Sequence, residues 1–233
     1  VAITSATNDQ NNFLNAGDVA SVTSTFSEIV NVTNTPQLNL IVGSTNRTAT
    51  YTSGDGRTPL VFNYTIQAGE TDDDGISIGA NVLALNSGTI SDPAGNNATL
   101  THSAVSDNLG YMVDTTAPTV STFTLSDTQL LIGETATVGL DFSEKVISFV
   151  STADITVTSG SLTRLTSSDE ISWTGTFTPT PNTEDATNTL SLATTYSDLA
   201  GNVGTVSTTA NYEVETYAPS ANSFTFDDTK MQD

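Results

Sequence analysis

The sequence has no cysteine, a single histidine and very few basic residues. Without cysteine there is no disulfide framework and no thiolate metal site, and His102 alone cannot build an imidazole zinc site. The five basic residues are too few for a nucleic-acid interface or for a polybasic patch on an anionic membrane. We therefore expect no nucleic-acid partner. We also expect no membrane insertion, because no apolar run reaches the roughly 18 residues that span a bilayer.

Acidic residues are abundant instead. The chain has 26 Asp and Glu against five Lys and Arg, which gives a formal net charge of -21. This composition favours hard cations, which bind carboxylate, amide and carbonyl oxygens. The 233 residues allow one large or two ordinary domains. Because Val1 lies within a strand-like pattern, we expect the chain to be a fragment of a longer one.

Three motifs occur twice, in the same order. The matching pairs are A-G-D-V-A-S-V-T-S-T-F-S-E from Ala16 and I-G-E-T-A-T-V-G-L-D-F-S-E from Ile132, I-S-D-P-A-G-N-N from Ile90 and Y-S-D-L-A-G-N-V from Tyr196, and V-D-T-T-A-P from Val113 and V-E-T-Y-A-P from Val214. A repeat of this kind indicates a repeated structural unit. We predict domain 1 at residues 1–115, domain 2 at 116–217, and the first strand of a truncated further repeat at 218–233.

Apolar and polar residues alternate within each predicted domain. Such a pattern runs through Ala136, Val138 and Leu140 and predicts a half-buried strand. About seven short strands per hundred residues, separated by Gly, Pro, Asn and Asp clusters, are typical of a β-sandwich. The sequence therefore predicts an all-β fold with two tandem immunoglobulin-like β-sandwich domains, joined by short linkers, with Trp173 in a core.

The predicted strand order indicates which acidic residues meet. If successive strands reverse direction, loops 8–18 and 69–75 lie at the end of domain 1 that carries Asp114. The loops that begin at Glu144 and Asp198 in domain 2 face the same linker. We therefore predict an acidic junction whose candidate ligands are Asp9, Glu70, Asp72, Asp73, Asp74, Asp114, Glu144 and Asp198.

Carboxylates in one junction repel each other, by about 1 kcal/mol at 4 Å in water and about 4 kcal/mol at an effective dielectric constant near 20. Ca²⁺ relieves this repulsion best, because it accepts about six to eight oxygens in irregular geometry, whereas Mg²⁺ demands a stricter one. The D-D-D run taken alone is more often a solvated turn. An EF-hand is excluded, because its twelfth position would be Asn81 and no helices flank the loop. The pattern repeats in domain 2, where the candidate ligands are Asp127, Glu184, Asp185 and Glu215.

The motifs also resemble a known family. "IGETATVGLDFSEKV", "TSSDEISWTGTFTPTPNTEDATNTLSLATTYSDLAGNVG" and "YEVETYAP" are similar to the bacterial Ig-like repeats of giant repeats-in-toxin surface adhesins. "NYTIQAGETDDDGISI", "ISDPAGNNATLTHSA" and "MVDTTAP" resemble the same superfamily. The resemblance implies tandem extender domains that bind Ca²⁺ at their junctions and hold an adhesive tip away from the bacterial surface, after type I secretion.

The resemblance assigns ligand positions residue by residue. It implies that Asp114, Glu144 and Asp198 are ligands, and that Glu28 and Asp92 are the domain 1 counterparts of the last two. Glu215 stands where the family has an aspartate. The implied partners are neighbouring repeats of the same chain, and we expect a monomer located outside the cell.

Two other functional classes compete with a calcium-bound extender. A module that binds a carbohydrate, a protein or ice is the alternative, although the Thr-x-Thr runs have no regular period and the tyrosines form no evident platform. Paired carboxylates can also hydrolyse glycosides. Here, however, the acidic pairs recur at the same loop position in both repeats, as a structural site would, so we predict that the chain is not an enzyme.

Overall fold

The computed structural model describes residues 1–225, which are almost entirely strands, turns and loops. The architecture confirms the predicted immunoglobulin-like β-sandwich class. The chain divides into a first compact unit, which comprises Val1–Pro118, Lys145–Ser148 and Tyr196–Gly204, and a second unit, which comprises Thr119–Glu144, Phe149–Thr195 and the described residues from Thr205 onward. The domain limits at 115 and 217 stay predictions.

Two sheets form the first unit. Its strands are β1 (Ala2–Thr7), β2 (Phe13–Leu14), β3 (Val19–Thr33), β4 (Gln37–Val42), β5 (Thr45–Ser53), β6 (Arg57–Thr65), β7 (Thr71–Asp72), β8 (Leu83–Ala84), β9 (Thr89–Ser91) and β10 (Met112–Asp114). One sheet has the order β1-β3-β6-β5-β4-β8, with β9 paired to β3, and the other has the order β2-β10-β7. Strand β10 runs parallel to β2 and antiparallel to β7, so Asp114 is the last residue of the central strand of the second sheet and pairs with Thr71.

Alternation along β3 builds one wall of the core of this unit. Ala20, Val22 and Ser24 are buried and Phe26 is half-buried, as the period-two pattern predicts. Their neighbours are apolar side chains from the facing strands. The fully buried members of this core include Leu14, Leu38, Leu40, Leu60, Phe62, Ile66, Ile76, Ile78, Ile90 and Val113.

The second unit has three small sheets and one helical turn. Its elements are β11 (Val120–Leu125), β12 (Gln129–Leu131), β13 (Ala136–Phe142), α1 (Ser151–Asp154), β14 (Ile155–Thr156), β15 (Gly160–Leu162), β16 (Ser172–Pro179), β17 (Glu184–Asn188), β18 (Ser191–Leu192), β19 (Ser207–Thr208) and β20 (Tyr212–Glu215). The sheets have the orders β11-β13-β16-β15, β12-β20-β17 and β14-β18-β19. The parallel pairing of β12 with β20 repeats that of β2 with β10.

Aromatic side chains pack edge to face in the second unit. The rings of Phe177 and Tyr212 are 5.0 Å apart, and those of Phe149 and Trp173 are 4.9 Å apart. Trp173 is half-buried rather than fully enclosed. It therefore borders the core, which is a weaker placement than the one the sequence predicted.

Some elements differ from the sequence-based expectation. Strand β5 was not predicted, because its polar residues lack an apolar alternation. The apolar run from Val82 to Ile90 predicts a single strand, but the structure divides it into β8 and β9. Residues 218–225 contain no strand, and the rest of the predicted strand at 218–233 lies outside the described residues. Within residues 1–225, no helix is long and apolar enough to cross a membrane.

An ion pair between a half-exposed arginine and a buried glutamate links the first sheet to the 69–75 loop. The Arg47 side chain pairs with Glu70, whose side chain is only 3% exposed. The Tyr64 hydroxyl donates to Glu70 Oε1 at 2.5 Å, and the backbone N–H of Gln67 donates to Oε2 at 2.8 Å. Burial, together with the hydrogen bond to the Glu70 carboxylate and its charge, raises the pKa of Tyr64 well above its ordinary value. Both carboxylate oxygens of Glu70 therefore accept hydrogen bonds that stabilise the fold.

Replacing Arg47 by methionine should destabilise the protein by about 1–3 kcal/mol, because the buried Glu70 carboxylate loses its charged donor. Arg57→Met is the matched control, since Arg57 is exposed and such surface changes usually stay within about 0.5 kcal/mol. Urea denaturation followed by circular dichroism measures both. Equal stability of Arg47→Met and the wild type would show that the ion pair contributes nothing.

Candidate metal centre

The S-D-x-A-G-N motif folds into the same loop in both of its copies. In the second copy, Asn202 donates its backbone N–H to Asp198 Oδ1 at 2.9 Å and its side-chain amide to Oδ2 at 2.8 Å. In the first copy, Asn96 makes the same two bonds to Asp92 at 2.8 and 2.7 Å. The glycine before each Asn has a positive φ, 85° at Gly201 and 91° at Gly95, which a side chain would strain. The motif thus fixes its own aspartate, and each oxygen keeps a lone pair for a further partner.

The Asp198 loop belongs to the first unit and is held there by side-chain amides. Asn11 Nδ2 donates to the carbonyl of Leu199 at 2.8 Å, and Asn15 Nδ2 donates to the carbonyl of Ala200 at 2.9 Å. Asn202 Nδ2 also donates to the backbone oxygen of Asp114 at 2.9 Å. Asp198 is 1% exposed as a result. The 8–18 loop therefore meets the 198–202 loop, as the strand order predicted.

Asp114 and Asp198 come together in this unit. A carboxylate oxygen of Asp114 lies within 4.8 Å of one from Asp198. Burial raises the pKa of Asp114, and the negative charges of Asp198 and Asp73 raise it further, against the hydrogen bonds that Thr116 donates. The folded protein thus holds Asp114 in surroundings that oppose its ionisation.

The 69–75 loop adds acidic residues beside this pair. Asp72 is buried; its Oδ2 accepts the backbone N–H of Gly43 at 2.7 Å and its Oδ1 accepts that of Gly75 at 2.8 Å. Burial raises the pKa of Asp72, and Asp74 adds to the rise. Asp73 and Asp74 are exposed, and Asp73 is close enough to act on Asp114. We call Asp72, Asp73, Asp74, Asp114 and Asp198 the acidic group.

Other predicted ligands of the first repeat lie elsewhere. Glu70 is held by Arg47 and Tyr64, so we leave it out of the acidic group. Asp9 is exposed on the 8–18 loop, and its role stays a prediction. Glu28 and Asp92 both line a cavity of about 330 Å³ in the first unit. Glu144 is half-buried and directly precedes the Lys145–Ser148 segment, and its role as a ligand also stays a prediction.

The second unit carries its own acidic residues at the corresponding positions. Glu184 of β17 pairs in register with Glu215 of β20. Asp127 Oδ1 accepts the backbone N–H of Gln129 at 2.9 Å. Asp185 accepts the hydroxyl of Ser159 at 2.7 Å, and this bond does most to lower the pKa of Asp185. Asp127 and Glu215 line one cavity, and Glu184 and Glu215 line another.

The chemistry of the acidic group fits a hard divalent cation. Two charges about 4 Å apart repel by about 1 kcal/mol in water and about 4 kcal/mol at an effective dielectric constant near 20. The chain has five basic residues and 26 acidic ones, and one of the five, Arg47, already pairs with Glu70. Carboxylate and carbonyl oxygens are the donors that Ca²⁺ prefers, in irregular sets of about six to eight.

Comparison with known proteins finds a family match for part of the chain. Residues 114–214 match the family model of the bacterial Ig-like domain. No curated protein matches the chain. The solved structure of FdeC, described as a broadly conserved Escherichia coli adhesin, is similar at 14% identity and a TM-score of 0.35. The match covers 90% of this chain and 61% of the FdeC chain, so the chain spans less than two thirds of that structure.

Two members of the acidic group, Asp114 and Asp198, lie within the matched residues 114–214, and the other three precede them. Sequence reasoning found its carboxylates but missed the amides of Asn11 and Asn15 that hold the Asp198 loop. The available signal was the Asn-rich run N-D-Q-N-N-F-L-N from Asn8. The sequence alone does not predict that these amides donate to the 198–202 loop, because it does not show which carbonyl groups they face.

With a chelator present, Asp114→Asn should raise the melting temperature at about pH 7 and leave it unchanged below the ordinary carboxyl pKa of 3.8. Because the pKa of Asp114 is raised in the folded state, the stability that protonated Asp114 contributes is fully present below its unfolded-state pKa. That contribution is lost as the pH rises through its folded-state pKa. The asparagine avoids this loss, because it is not charged. Thermal melts at several pH values test the expectation, and a variant that melts with the wild type at neutral pH contradicts it.

Proposed function

We propose that this chain is a non-catalytic extender segment of a bacterial surface adhesin, stiffened by Ca²⁺ at the junctions between its repeats. The observation that carries the proposal is the closeness of Asp114 to Asp198, within 4.8 Å, beside the charge of Asp73. The match of residues 114–214 to the bacterial Ig-like domain supports a surface protein built for adhesion. The motif resemblance extends this to an adhesin of the repeats-in-toxin type, exported by type I secretion.

The calcium site is proposed to use ligands from distant parts of the sequence. Asp114 follows β10, and Asp198 comes from a loop more than 80 residues later. Glu144 of the F-S-E motif is the proposed third carboxylate ligand. Asp73 or Asp74 would supply a further negative charge beside the ion. Ca²⁺ suits this set better than Mg²⁺, because the ligands come from loops of irregular geometry.

Binding of this kind stabilises the assembled state. In the unfolded chain the same carboxylates are far apart, so the ion binds the folded state preferentially. The gain is RT ln(1 + [L]/Kd), about 2.7 kcal/mol at a hundredfold excess of ligand over Kd. Because loop 198–202 and Asp114 would share an ion, the ion would also restrict motion where repeats join. A stiff row of such repeats would hold a distal adhesive domain away from the cell.

The histidine provides no ground for a catalytic role. His102 Nε2 accepts the backbone N–H of Val82 at 3.0 Å, and Nδ1 lies 2.9 Å from the carbonyl of Ser103. Both ring nitrogens are thus occupied by the backbone. We propose that the ring holds the 97–105 segment in place and takes no part in a reaction.

Calcium should raise the melting temperature of the wild type, and Asp114→Asn combined with Asp198→Asn should abolish most of that rise. The double variant keeps the side-chain shape and one acceptor oxygen at each position, although position 198 can then accept only one of the two bonds from Asn202, and it removes two charges that attract the ion. Asp55→Asn is the control. Asp55 comes before β6 and the 69–75 loop comes after it, so the two lie at opposite ends of that strand. Differential scanning calorimetry with calcium and with EGTA measures the shifts. An unchanged melting temperature of the wild type in millimolar calcium would refute the calcium site.

A further inference from the structure

The first threonine of the V-D-T-T-A-P motif holds the linker against the first unit. Thr115 comes directly after β10. Its Oγ1 accepts the backbone N–H of Gly69 at 2.9 Å and donates to the carbonyl of Glu70 at 2.9 Å. A single hydroxyl thus serves one donor and one acceptor of the turn that precedes β7. We call this pair of hydrogen bonds the threonine clasp.

The second unit has the same clasp. Thr216 of the V-E-T-Y-A-P motif comes directly after β20 and is 5% exposed. Its Oγ1 accepts the backbone N–H of Thr183 at 2.9 Å and donates to the carbonyl of Thr180 at 2.7 Å. This turn precedes β17, which pairs with β20 as β7 pairs with β10. The residues on both sides of the threonine differ between the two copies of the motif, so the contact depends on the threonine itself.

The turn that receives Thr115 is anchored to the core of the first unit. The Glu70 side chain pairs with Arg47 and accepts the hydroxyl of Tyr64 at 2.5 Å. Two residues further on, both carboxylate oxygens of Asp72 accept backbone N–H groups. The clasp therefore joins the linker to a turn whose position the core already fixes.

The backbone of Asp114 is held from both sides. Its own carbonyl accepts Asn202 Nδ2 at 2.9 Å, and the residue that follows it is Thr115 of the clasp. Its Oδ1 also accepts the backbone N–H of Thr116 at 2.9 Å. These contacts place a carboxylate oxygen of Asp114 within 4.8 Å of one from Asp198. Without the clasp, the linker side of Asp114 would lose its direct connection to the anchored turn.

We infer that Thr115 is a positioning residue for the proposed calcium site, because its clasp fixes the backbone of Asp114 and so aims the carboxylate before the ion arrives. Thr216 positions Glu215 in the same way in the second unit. Neither hydroxyl contacts the ion; each acts through the acidic residue beside it. Residues that orient metal ligands typically contribute about 10- to 100-fold to metal affinity. This inference rests on the proposed function, since a fixed carboxylate raises affinity only if it binds an ion.

Calcium titration of the full chain, followed by nuclear magnetic resonance, tests the inference at the first unit. The backbone amide of Asn202 is the reporter, because it donates to Asp198. Thr115→Val removes the hydroxyl and keeps the shape of the side chain, so the Kd of this site should rise by about 10- to 100-fold. Thr115→Ser keeps the hydroxyl and should bind calcium as the wild type does.

Thr33→Val is the matched control. Thr33 Oγ1 also accepts a backbone N–H, that of Thr89 at 2.9 Å, and it lies 2.8 Å from the hydroxyl of the same residue. Thr33 ends β3 and is outside the acidic group. Its replacement should leave the Kd of the first site unchanged. A Thr115→Val variant with the Kd of the wild type overturns the inference, and so does an equal loss of affinity in Thr33→Val.

Backbone order parameters measured in EGTA separate this inference from the proposed function. The amides of Asp114 and Thr116 should have values near about 0.85 in the wild type, as rigid backbone does, and should fall toward about 0.6 in Thr115→Val. If the Asn202 amide of the wild type does not respond to calcium, the proposed function is wrong, and these values alone decide whether Thr115 positions Asp114. Equal order parameters in the wild type and in Thr115→Val overturn the inference.

Discussion

The first unit must hold several carboxylates together against their mutual repulsion. Asp114 and Asp198 lie within 4.8 Å of each other, and the charge of Asp73 acts on the same place. Hydrogen bonds around these acids offset part of the repulsion, such as those that Asn202 donates to Asp198 and Thr116 donates to Asp114. We propose that a hard cation offsets the remaining repulsion, because carboxylate oxygens are the ligands that such a cation prefers.

The architecture follows from simple local rules. Alternation of apolar residues along β3 and β13 makes two walls of the cores, and the parallel pairing of β2 with β10 is repeated by β12 with β20. The same motif, S-D-x-A-G-N, builds the same loop at Asp92 and at Asp198. The surroundings differ: one loop is exposed and the other is enclosed by Asn11 and Asn15. The two copies of the motif thus share a local geometry and differ in what lies against them.

Sequence reasoning predicted the fold class, the repeats and the loops that carry acids, because each depends on local periodicity or on strand direction. It could not predict β5, whose residues lack apolar alternation, or the two short pieces that replace a strand at 82–90. It placed Glu70 with the ligands, since charge alone does not reveal the buried partners Arg47 and Tyr64. It predicted the meeting of Asp114 with the Asp198 loop but not the amides that hold that loop, which depend on tertiary contacts.

Small-angle X-ray scattering of the chain with calcium and with EGTA tests the central claim most directly, because a calcium-stiffened extender must respond as a whole. The account predicts that removing calcium changes the maximum dimension and broadens the distribution of interatomic distances, while circular dichroism still shows folded β-structure. The same maximum dimension and the same distance distribution in both solutions would contradict it.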